Sequence, residues 1–240
     1  MYYEIKIKLI RIAIFGDEKV GKTSICKSFL DLEFDEDEMY TIVRRKYDKK
    51  IEMDDGKELS LVIYDTPGKE RFRSVAFQSC NFTKGILICF DLTNRRTLDN
   101  IKLLLDEINE NYINIPILLL GNKCDMIHKR VIAKEEAIEF SNNHLLPYYE
   151  TSAKNKTNIK NAILYLANIA YKKIKEIQCK TKNDSLVNKN EKENKDENED
   201  ENEDEKRNEN DSLENKNKNC FSDDKNKRIQ MIKLLICRNC

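Results

Sequence analysis

A loop with two glycines, a lysine and a threonine carries the first recognisable chemistry in this sequence. Residues 16–24 read GDEKVGKTS and match the pattern G-x-x-x-x-G-K-[ST], between a strand-like and a helix-like stretch. Gly16 and Gly21 permit a tight turn whose backbone amides form an anion nest at a helix N-terminus. Lys22 is placed to reach the β- and γ-phosphates, and the Thr23 hydroxyl to bind Mg²⁺. The loop predicts a nucleoside triphosphate site.

A second motif, GNKCD at residues 121–125, indicates the base of that nucleotide. The Asp125 carboxylate only accepts hydrogen bonds, so it suits the two adjacent donors of guanine, whereas adenine would leave it buried and unpaired. A site built on such bonds can reject the wrong base by about 10⁴ to 10⁵. Asn122 adds a polar contact, and the stem of Lys123 can lie across the base plane. We therefore expect a guanine nucleotide.

Two shorter motifs complete the predicted site. In ETSAK, residues 150–154, the Ala153 amide is placed to reach the base oxygen. In DTPG, residues 65–68, Asp65 is placed for an indirect contact with Mg²⁺, and the Gly68 amide for the γ-phosphate. Both motifs follow strand-like runs, which is where an α/β sheet binds ligands.

The elements that must position these motifs alternate between strand-like and helix-like patterns from residue 5 to about residue 177. The runs IKLIRIAIF, GILICFDL and ILLLGNKCD are typical of strands that are covered on both faces. KYDKKIEM and KELSLVIYD, joined by Asp54-Asp55-Gly56, predict an antiparallel hairpin. The expected fold is α/β, with a doubly wound, mostly parallel six-stranded sheet flanked by helices and a disordered C-terminal tail.

In this order and spacing the motifs resemble those of the Ras superfamily of small GTPases, and within it the Rab branch. The resemblance covers residue 8 to about residue 176 and rests on GDEKVGKTS, YDTPGKERFRS, DLTNRRTLDNI, GNKCD and ETSAK. It implies a P-loop G domain that binds GTP or GDP with Mg²⁺, hydrolyses GTP and regulates vesicle transport through effectors. It also implies an exchange factor, a GTPase-activating protein and a prenylation escort as partners, and a cytoplasmic protein that cycles onto the cytosolic face of an intracellular membrane.

The resemblance further implies Thr41 as the mobile-loop threonine that binds Mg²⁺ beside the γ-phosphate, and Phe34 as the aromatic beside guanine. The expected nucleotide-binding residues are Gly16, Glu18, Lys19, Val20, Gly21, Lys22, Thr23, Ser24, Phe34, Thr41, Gly68, Asn122, Lys123, Asp125, Ser152, Ala153 and Lys154. The expected metal-binding residues are Thr23, Thr41 and Asp65, and the expected catalytic residues are Lys22, Gly68 and the atypical Lys69.

Lys69 stands where this family carries the glutamine that orients the attacking water. An ammonium has three donors and no acceptor, so we expect slow unaided hydrolysis, with a glutamine supplied in trans by the activating protein. Pro67, in place of the usual alanine, removes a backbone donor and stiffens the turn. The alternatives are a mere surface substitution at Lys69, a GTP-binding scaffold without catalysis, and an ATP-using P-loop enzyme, which Asp125 disfavours.

The surface that meets effectors also departs from the family. Val43-Arg44-Arg45-Lys46 follows Thr41-Ile42 where Gly-Val-Asp-Phe is common, and the aromatic triad of the branch maps to Lys46, Tyr64 and Ser79. A single aromatic remains beside three basic residues. We therefore expect acidic effector partners.

The composition excludes some function classes. Basic and acidic residues number 43 each, so no global field favours nucleic acid. Eight irregularly spaced cysteines and the lack of a secretory signal favour free thiols in a reducing cytosol. No apolar run approaches the roughly 20 residues that span a bilayer.

The chain divides into a G domain at residues 1–177, an Asn/Lys/Asp/Glu-rich linker at 178–224 and a basic, apolar segment at 225–240. The linker is predicted to be a disordered spacer, with an acidic docking tail as the alternative. The ending CRNC suggests lipidation of Cys237 or Cys240, which together with nearby basic residues would hold the protein on a membrane surface. The alternative is an apolar end that docks on the domain or a partner.

Overall fold

The computed structural model of the chain describes residues 7–36, 41–78, 81–112 and 114–193. The chain divides into two compact units, Met1–Lys172 and Lys173–Cys240. The first unit contains a six-stranded sheet with helices around it. The described part of the second unit is helical.

The sheet confirms the predicted α/β fold. Its strands are β1 (Leu9–Phe15), β2 (Arg45–Glu52), β3 (Glu58–Asp65), β4 (Gly85–Asp91), β5 (Ile117–Asn122) and β6 (Tyr148–Glu150). Their order across the sheet is β2-β3-β1-β4-β5-β6. Only the β2–β3 pair is antiparallel, and the other neighbours run parallel.

The helices are short except for the last. They are α1 (Lys22–Phe29), α2 (Arg73–Gln78), α3 (Arg95–Asp99), α4 (Ile101–Asn111), α5 (Lys134–Asn143) and α6 (Ile159–Glu193), with 3₁₀ turns at Glu70–Phe72 and Ile127–Lys129. Asn100 separates α3 from α4.

The hairpin at the edge of the sheet forms as predicted. Glu52 at the end of β2 pairs with Glu58 at the start of β3. Gly56 in the connecting turn has φ 74°, a left-handed conformation that glycine adopts without steric cost. The Asp-Gly signal therefore identified both the turn and the pairing.

Strand β4 shows why the central runs are apolar throughout. Every residue of Gly85–Asp91 is buried, and Ile86, Leu87, Ile88 and Phe90 are fully inaccessible. A parallel strand covered on both faces has no solvent side, so it lacks the polar alternation of a half-exposed strand. Each such side chain contributes about 1.5–3 kcal/mol of transfer free energy.

The topology brings the predicted motifs to one edge. Strand β1 has β3 on one side and β4 on the other, so the chain reverses its direction of travel across the sheet next to β1. In open α/β sheets ligands bind at the carboxyl ends of the strands at such a switch point. The loops after β1, β3, β5 and β6 carry the four predicted motifs.

Helix α6 continues to Glu193, whereas the sequence analysis starts the disordered linker at residue 178. A helix satisfies its backbone hydrogen bonds internally, so the lack of apolar residues does not by itself end it. The rest of the predicted linker and the C-terminal segment lie outside the described residues.

Candidate functional site

The glycine-bracketed loop between β1 and α1 has the close packing that its sequence predicts. Gly16 has φ 140° and Gly21 has φ 96°. A Cβ atom on Gly16 would overlap the carbonyl oxygen of Cys89, and one on Gly21 would overlap the side-chain amide of Asn122. Larger residues at either position would push the loop away from β4 and β5. The glycines therefore hold the loop against the sheet edge.

The side chain of Lys22, the first residue of α1, reaches back into this loop. Its ammonium donates to the backbone carbonyls of Gly16 at 2.9 Å and Asp17 at 2.7 Å. Burial lowers the pKa of Lys22, and the negative charge of Asp65 offsets part of that effect. The backbone thus holds the ammonium at the floor of the cleft, where an anion would meet it.

The three predicted metal-binding residues converge, although they are far apart in the chain. The Thr23 hydroxyl donates to Oδ2 of Asp65 at 2.6 Å and lies 2.8 Å from the Thr41 hydroxyl. The Thr41 hydroxyl donates to the same carboxylate oxygen at 3.3 Å. Burial raises the pKa of Asp65, and the hydrogen bond from Thr23 offsets part of this rise.

The surroundings of the Asp65 carboxylate indicate whether a cation fits between these three residues. Its side chain is 0% exposed, and its Oδ1 atom has no hydrogen-bond partner within the described part of the chain. An unpaired buried acceptor costs about 1–3 kcal/mol or more when charged. Hydroxyl and carboxylate oxygens are the ligands that Mg²⁺ prefers, with phosphates and water completing its shell. The residues present fit Mg²⁺.

At the other end of the cleft, Asp125 is held by a loop from a different strand. Ser152, after β6, donates its hydroxyl to Oδ1 of Asp125 at 2.5 Å and accepts from the Asn155 amide at 3.0 Å. Lys123 has φ 67°, and its ammonium pairs with Oδ2 of Asp91 at 2.6 Å. These contacts set the carboxylate and the lysine stem before any ligand binds.

Asn122 connects the loops at the wall of the cleft. Its side chain is 1% exposed and donates to the Val20 carbonyl at 2.9 Å. Its oxygen accepts from the Ala153 amide at 3.2 Å and the Thr151 hydroxyl at 3.3 Å. The Ala153 amide, which we expected to face the base oxygen, therefore has Asn122 as its partner here. The sequence signal for this bridge is an amide side chain at a buried strand end.

The rim of the cleft contains a residue that the sequence analysis missed. Glu36 forms an ion pair with Lys154 at 2.5 Å, and the Lys154 ammonium lies 5.9 Å from the centre of the Phe34 ring. The hydrogen bond between them lowers the pKa of Glu36 and raises that of Lys154. Glu36 belongs to the acidic stretch EFDEDE, where no periodicity distinguishes one carboxylate from another.

Most of the predicted nucleotide-binding residues line one cavity of about 720 Å³. This volume falls within the usual range for small-molecule sites. The predicted residues on its wall are Glu18, Lys19, Gly21, Lys22, Thr23, Ser24, Phe34, Thr41, Gly68, Lys69, Asn122, Lys123, Asp125, Ala153 and Lys154. Val20, Asp65 and Ser152 are buried behind the wall. Asp35, Glu36, Met126 and Lys129 also line it and were not predicted.

The turn after β3 lies against the glycine-bracketed loop. A Cβ atom on Gly68 would lie 2.5 Å from the backbone nitrogen of Glu18 and 2.5 Å from Nζ of Lys22. The next residue, Lys69, lines the cavity, and its ammonium is 3.9 Å from Oε2 of Glu18. Lys69 thus faces the phosphate end of the cleft.

The surface beside β2 and β3 is basic around one aromatic ring. The Arg44 guanidinium lies 4.4 Å from the centre of the Tyr64 ring, and Lys46 pairs with Tyr64 across the two strands. Lys46 also lies 3.6 Å from a carboxylate oxygen of Asp48. Ser79, the third position of the expected triad, lies outside the described residues.

The described cysteines are free thiols, and most of them are buried. Cys26, Cys89 and Cys124 are free thiols in the described part of the chain, and burial raises the pKa of Cys89 to about 12. Cys237 and Cys240 lie outside the described residues. Within the described ranges, no helix combines the length and apolarity needed to cross a bilayer.

Comparison with known proteins agrees with this geometry. Residues 11–172 match the family model described as the Ras family. The chain is 36% identical over 162 residues to the Ras-related protein Rab-13 of Canis lupus familiaris, covering 66% of this chain and 78% of that protein. It is 36% identical over 160 residues to the Ras-related protein Rab-10 of Diplobatis ommata, covering 66% and 80%. It is 35% identical over 160 residues to the GTP-binding protein YPT1 of Saccharomyces cerevisiae, covering 66% and 77%.

Proposed function

This chain belongs to the Ras family of small GTPases and is Rab-like, and from that premise we propose that it is a GTP-dependent switch of vesicle transport whose unaided GTP hydrolysis is slow. Members of this family hydrolyse GTP to GDP. The observation that carries the proposal is the single cavity that joins Asp125, Lys22, Thr41 and Lys69.

Guanine recognition rests on Asp125. The hydrogen bond from Ser152 leaves the carboxylate in a defined orientation, so little ordering is required when a base with two adjacent donors binds. The apolar stem of Lys123 and the ring of Phe34 supply the faces on which the base packs. Asn122, on the wall of the same cavity, holds these loops together through the Val20 carbonyl and the Ala153 amide.

Phosphate binding rests on the loop after β1. The Lys22 ammonium, held by the Gly16 and Asp17 carbonyls, provides positive charge at the N-terminus of α1, where anions bind favourably. Thr23, Thr41 and Asp65 would hold Mg²⁺, which when bound neutralises charge on the phosphates. The close approach of Gly68 to Lys22 supports a role for the Gly68 amide in binding the terminal phosphate.

Switching follows from the same contacts. Thr41 and Gly68 belong to two segments that meet at the phosphate end, so the presence of the terminal phosphate biases both toward one ordered arrangement. Effectors of this family bind the ordered arrangement. The basic residues Arg44 and Lys46 beside Tyr64 favour acidic effectors, because complementary charge steers and orients association.

Slow unaided hydrolysis follows from Lys69. It lines the cavity at the phosphate end, where a glutamine would accept a hydrogen bond from the attacking water. Lysine can donate to phosphate oxygens but has no acceptor for that water. An activating protein that supplies the acceptor would restore hydrolysis. An exchange factor would release GDP to start the next cycle.

Anchoring depends on the C-terminal segment. Lipidation of Cys237 or Cys240, aided by a prenylation escort, would attach the protein to the cytosolic face of an intracellular membrane. A single lipid binds weakly, so the basic residues Lys225, Lys227, Arg228 and Lys233 would strengthen attachment to an anionic leaflet. Mass spectrometry of the C-terminal peptide from cells tests this, and an unmodified peptide would exclude it.

The second candidate is a GTP-binding scaffold without catalysis, which the Lys69 substitution favours. Single-turnover phosphate release from the GTP-loaded chain, with and without a Rab-class activating protein, distinguishes the two. A switch releases phosphate slowly alone and faster with the activator, whereas a scaffold gives the same negligible release in both. Equal affinity for ATP and GTP would contradict both candidates.

A further inference from the structure

Two opposite charges face each other across the phosphate end of the cavity. The Lys69 ammonium comes from the turn after β3, and the Glu18 carboxylate comes from the loop after β1, with 3.9 Å between Nζ and Oε2. Both side chains line the cavity, and both keep some solvent contact, at 26% exposure for Lys69 and 47% for Glu18. Two residues far apart in the chain thus meet where the proposed function places the terminal phosphate.

The backbone fixes this meeting point. Gly68 packs so closely on the amide of Glu18 and the ammonium of Lys22 that a Cβ atom there would lie 2.5 Å from each. Lys69 follows directly in the chain, so its side chain starts from a backbone that touches the phosphate-binding loop. The ion pair is therefore part of the cavity wall and not a contact remote from the ligand.

The two charges act differently on a triphosphate and a diphosphate. A carboxylate at Glu18 repels phosphate charge, and the repulsion grows most when a terminal phosphate is added nearby. An ammonium at Lys69 offsets this repulsion at the same place. In the proposed binding mode the α- and β-phosphates lie deeper, against the loop after β1 and Lys22, so they sense the pair less.

We propose that Lys69 and Glu18 act as one charge-paired unit that sets the preference of this site for GTP over GDP, with Lys69 as the specificity-determining residue. This inference rests on the proposed binding of guanine nucleotides in the cavity and deepens it. The pair compensates within the chain for an acidic residue beside the terminal phosphate. Removing Lys69 alone then leaves an uncompensated negative charge at that position.

The test measures the ratio of two affinities, which damage to the whole loop would leave unchanged. The full chain is compared with Lys69→Gln, Glu18→Ser and the double variant, with Mg²⁺ in excess at about 0.15 M salt. Dissociation constants for GDP and for a non-hydrolysable GTP analogue come from competition against a fluorescent guanine nucleotide. Lys134→Gln, an equal charge change at the exposed start of α5, serves as the matched control.

Lys69→Gln is expected to lower the preference for the triphosphate by about three- to tenfold, the range of coupling between contacting charges. In the Glu18→Ser chain, Lys69→Gln is expected to lower the preference for the triphosphate by less than half as much, with both changes expressed as logarithms of the affinity ratio. Lys69→Arg keeps the charge and should keep the ratio. Lys134→Gln should leave the ratio as it is.

If Lys69→Gln weakens the binding of GDP and of the GTP analogue equally, the inference is overturned. It is also overturned if Lys69→Gln changes the affinity ratio by the same factor with and without Glu18. Either result leaves guanine nucleotide binding by the unaltered chain intact. Failure of the unaltered chain to bind either guanine nucleotide would instead overturn the proposed function. Thermal unfolding of each variant with GDP identifies any variant that does not fold. If Lys69→Gln does not fold, Lys69→Arg is the remaining test, and a changed affinity ratio in that variant would overturn the role of the charge.

Discussion

The hydroxyl of Ser152 donates a 2.5 Å hydrogen bond to the Asp125 carboxylate, although the two residues follow different strands of the sheet. Strands β5 and β6 are parallel neighbours, so the loops after them lie side by side. The carboxylate that we propose recognises the base is therefore oriented by tertiary structure as well as by its own motif.

Removing this hydroxyl should weaken guanine binding. A hydrogen bond to a charged group contributes about 1.5–3 kcal/mol, so we expect Ser152→Ala to reduce GDP affinity about tenfold or more. Asp125→Ala should reduce it further and abolish the preference over ATP. Competition binding against a fluorescent guanine nucleotide measures both. Ser141→Ala is the control, because that hydroxyl donates to the Ile138 carbonyl of its own helix. An unchanged preference in Asp125→Ala would contradict the assignment of the base site.

Chelation of Mg²⁺ should accelerate nucleotide release. The Thr23 and Thr41 hydroxyls and the unpaired oxygen of Asp65 form the proposed cation site. We expect EDTA to speed GDP release from the unaltered chain by about tenfold or more, since a charged contact of this kind is lost. Thr23→Val should release GDP rapidly even with Mg²⁺ present and respond little to EDTA. Stopped-flow fluorescence measures these rates, and an EDTA-insensitive unaltered chain would argue against the site.

Restoring an acceptor at residue 69 should restore hydrolysis. We expect Lys69→Gln to raise the unaided single-turnover rate of phosphate release by at least about tenfold, given the usual size of such effects. Lys69→Met is the matched control, because it removes the charge without adding an acceptor and should remain slow. If both variants are equally fast, the ammonium obstructs hydrolysis, and the missing acceptor is not the cause.

The rim ion pair between Glu36 and Lys154 should slow nucleotide release. Both side chains are exposed, so we expect Glu36→Gln to speed GDP release only about two- to threefold, and less at high salt. Glu33→Gln, an exposed acid in the same segment, is the control. The pKa of Glu36 is lowered from 4.5, so the pair is present above that value and is lost only as the pH falls through the lowered pKa. Release rates that change between pH 6 and pH 8 because of Glu36 would contradict this.

The strands, the hairpin and the four motifs were predictable because each depends on neighbours in the chain. An Asp-Gly turn, a continuous apolar run and a glycine-bracketed loop express their conformation through local sterics and burial. The extent of α6 was not predictable in this way. The polar composition after residue 178 removes the apolar pattern that indicates a helix, yet α6 continues to Glu193.

The types of group in the candidate site were predictable from spacing along the chain: a hydrogen-bond acceptor at Asp125, a cation at Lys22 and a hydroxyl at Thr23. Their partners do not. The Thr23–Asp65 hydrogen bond, the bridge made by Asn122, and the Lys69–Glu18 and Lys154–Glu36 ion pairs each join residues from separate segments of the chain. The distances between these side chains depend on the order of the strands in the sheet and on how the loops pack. The spacing of residues along the chain does not determine either.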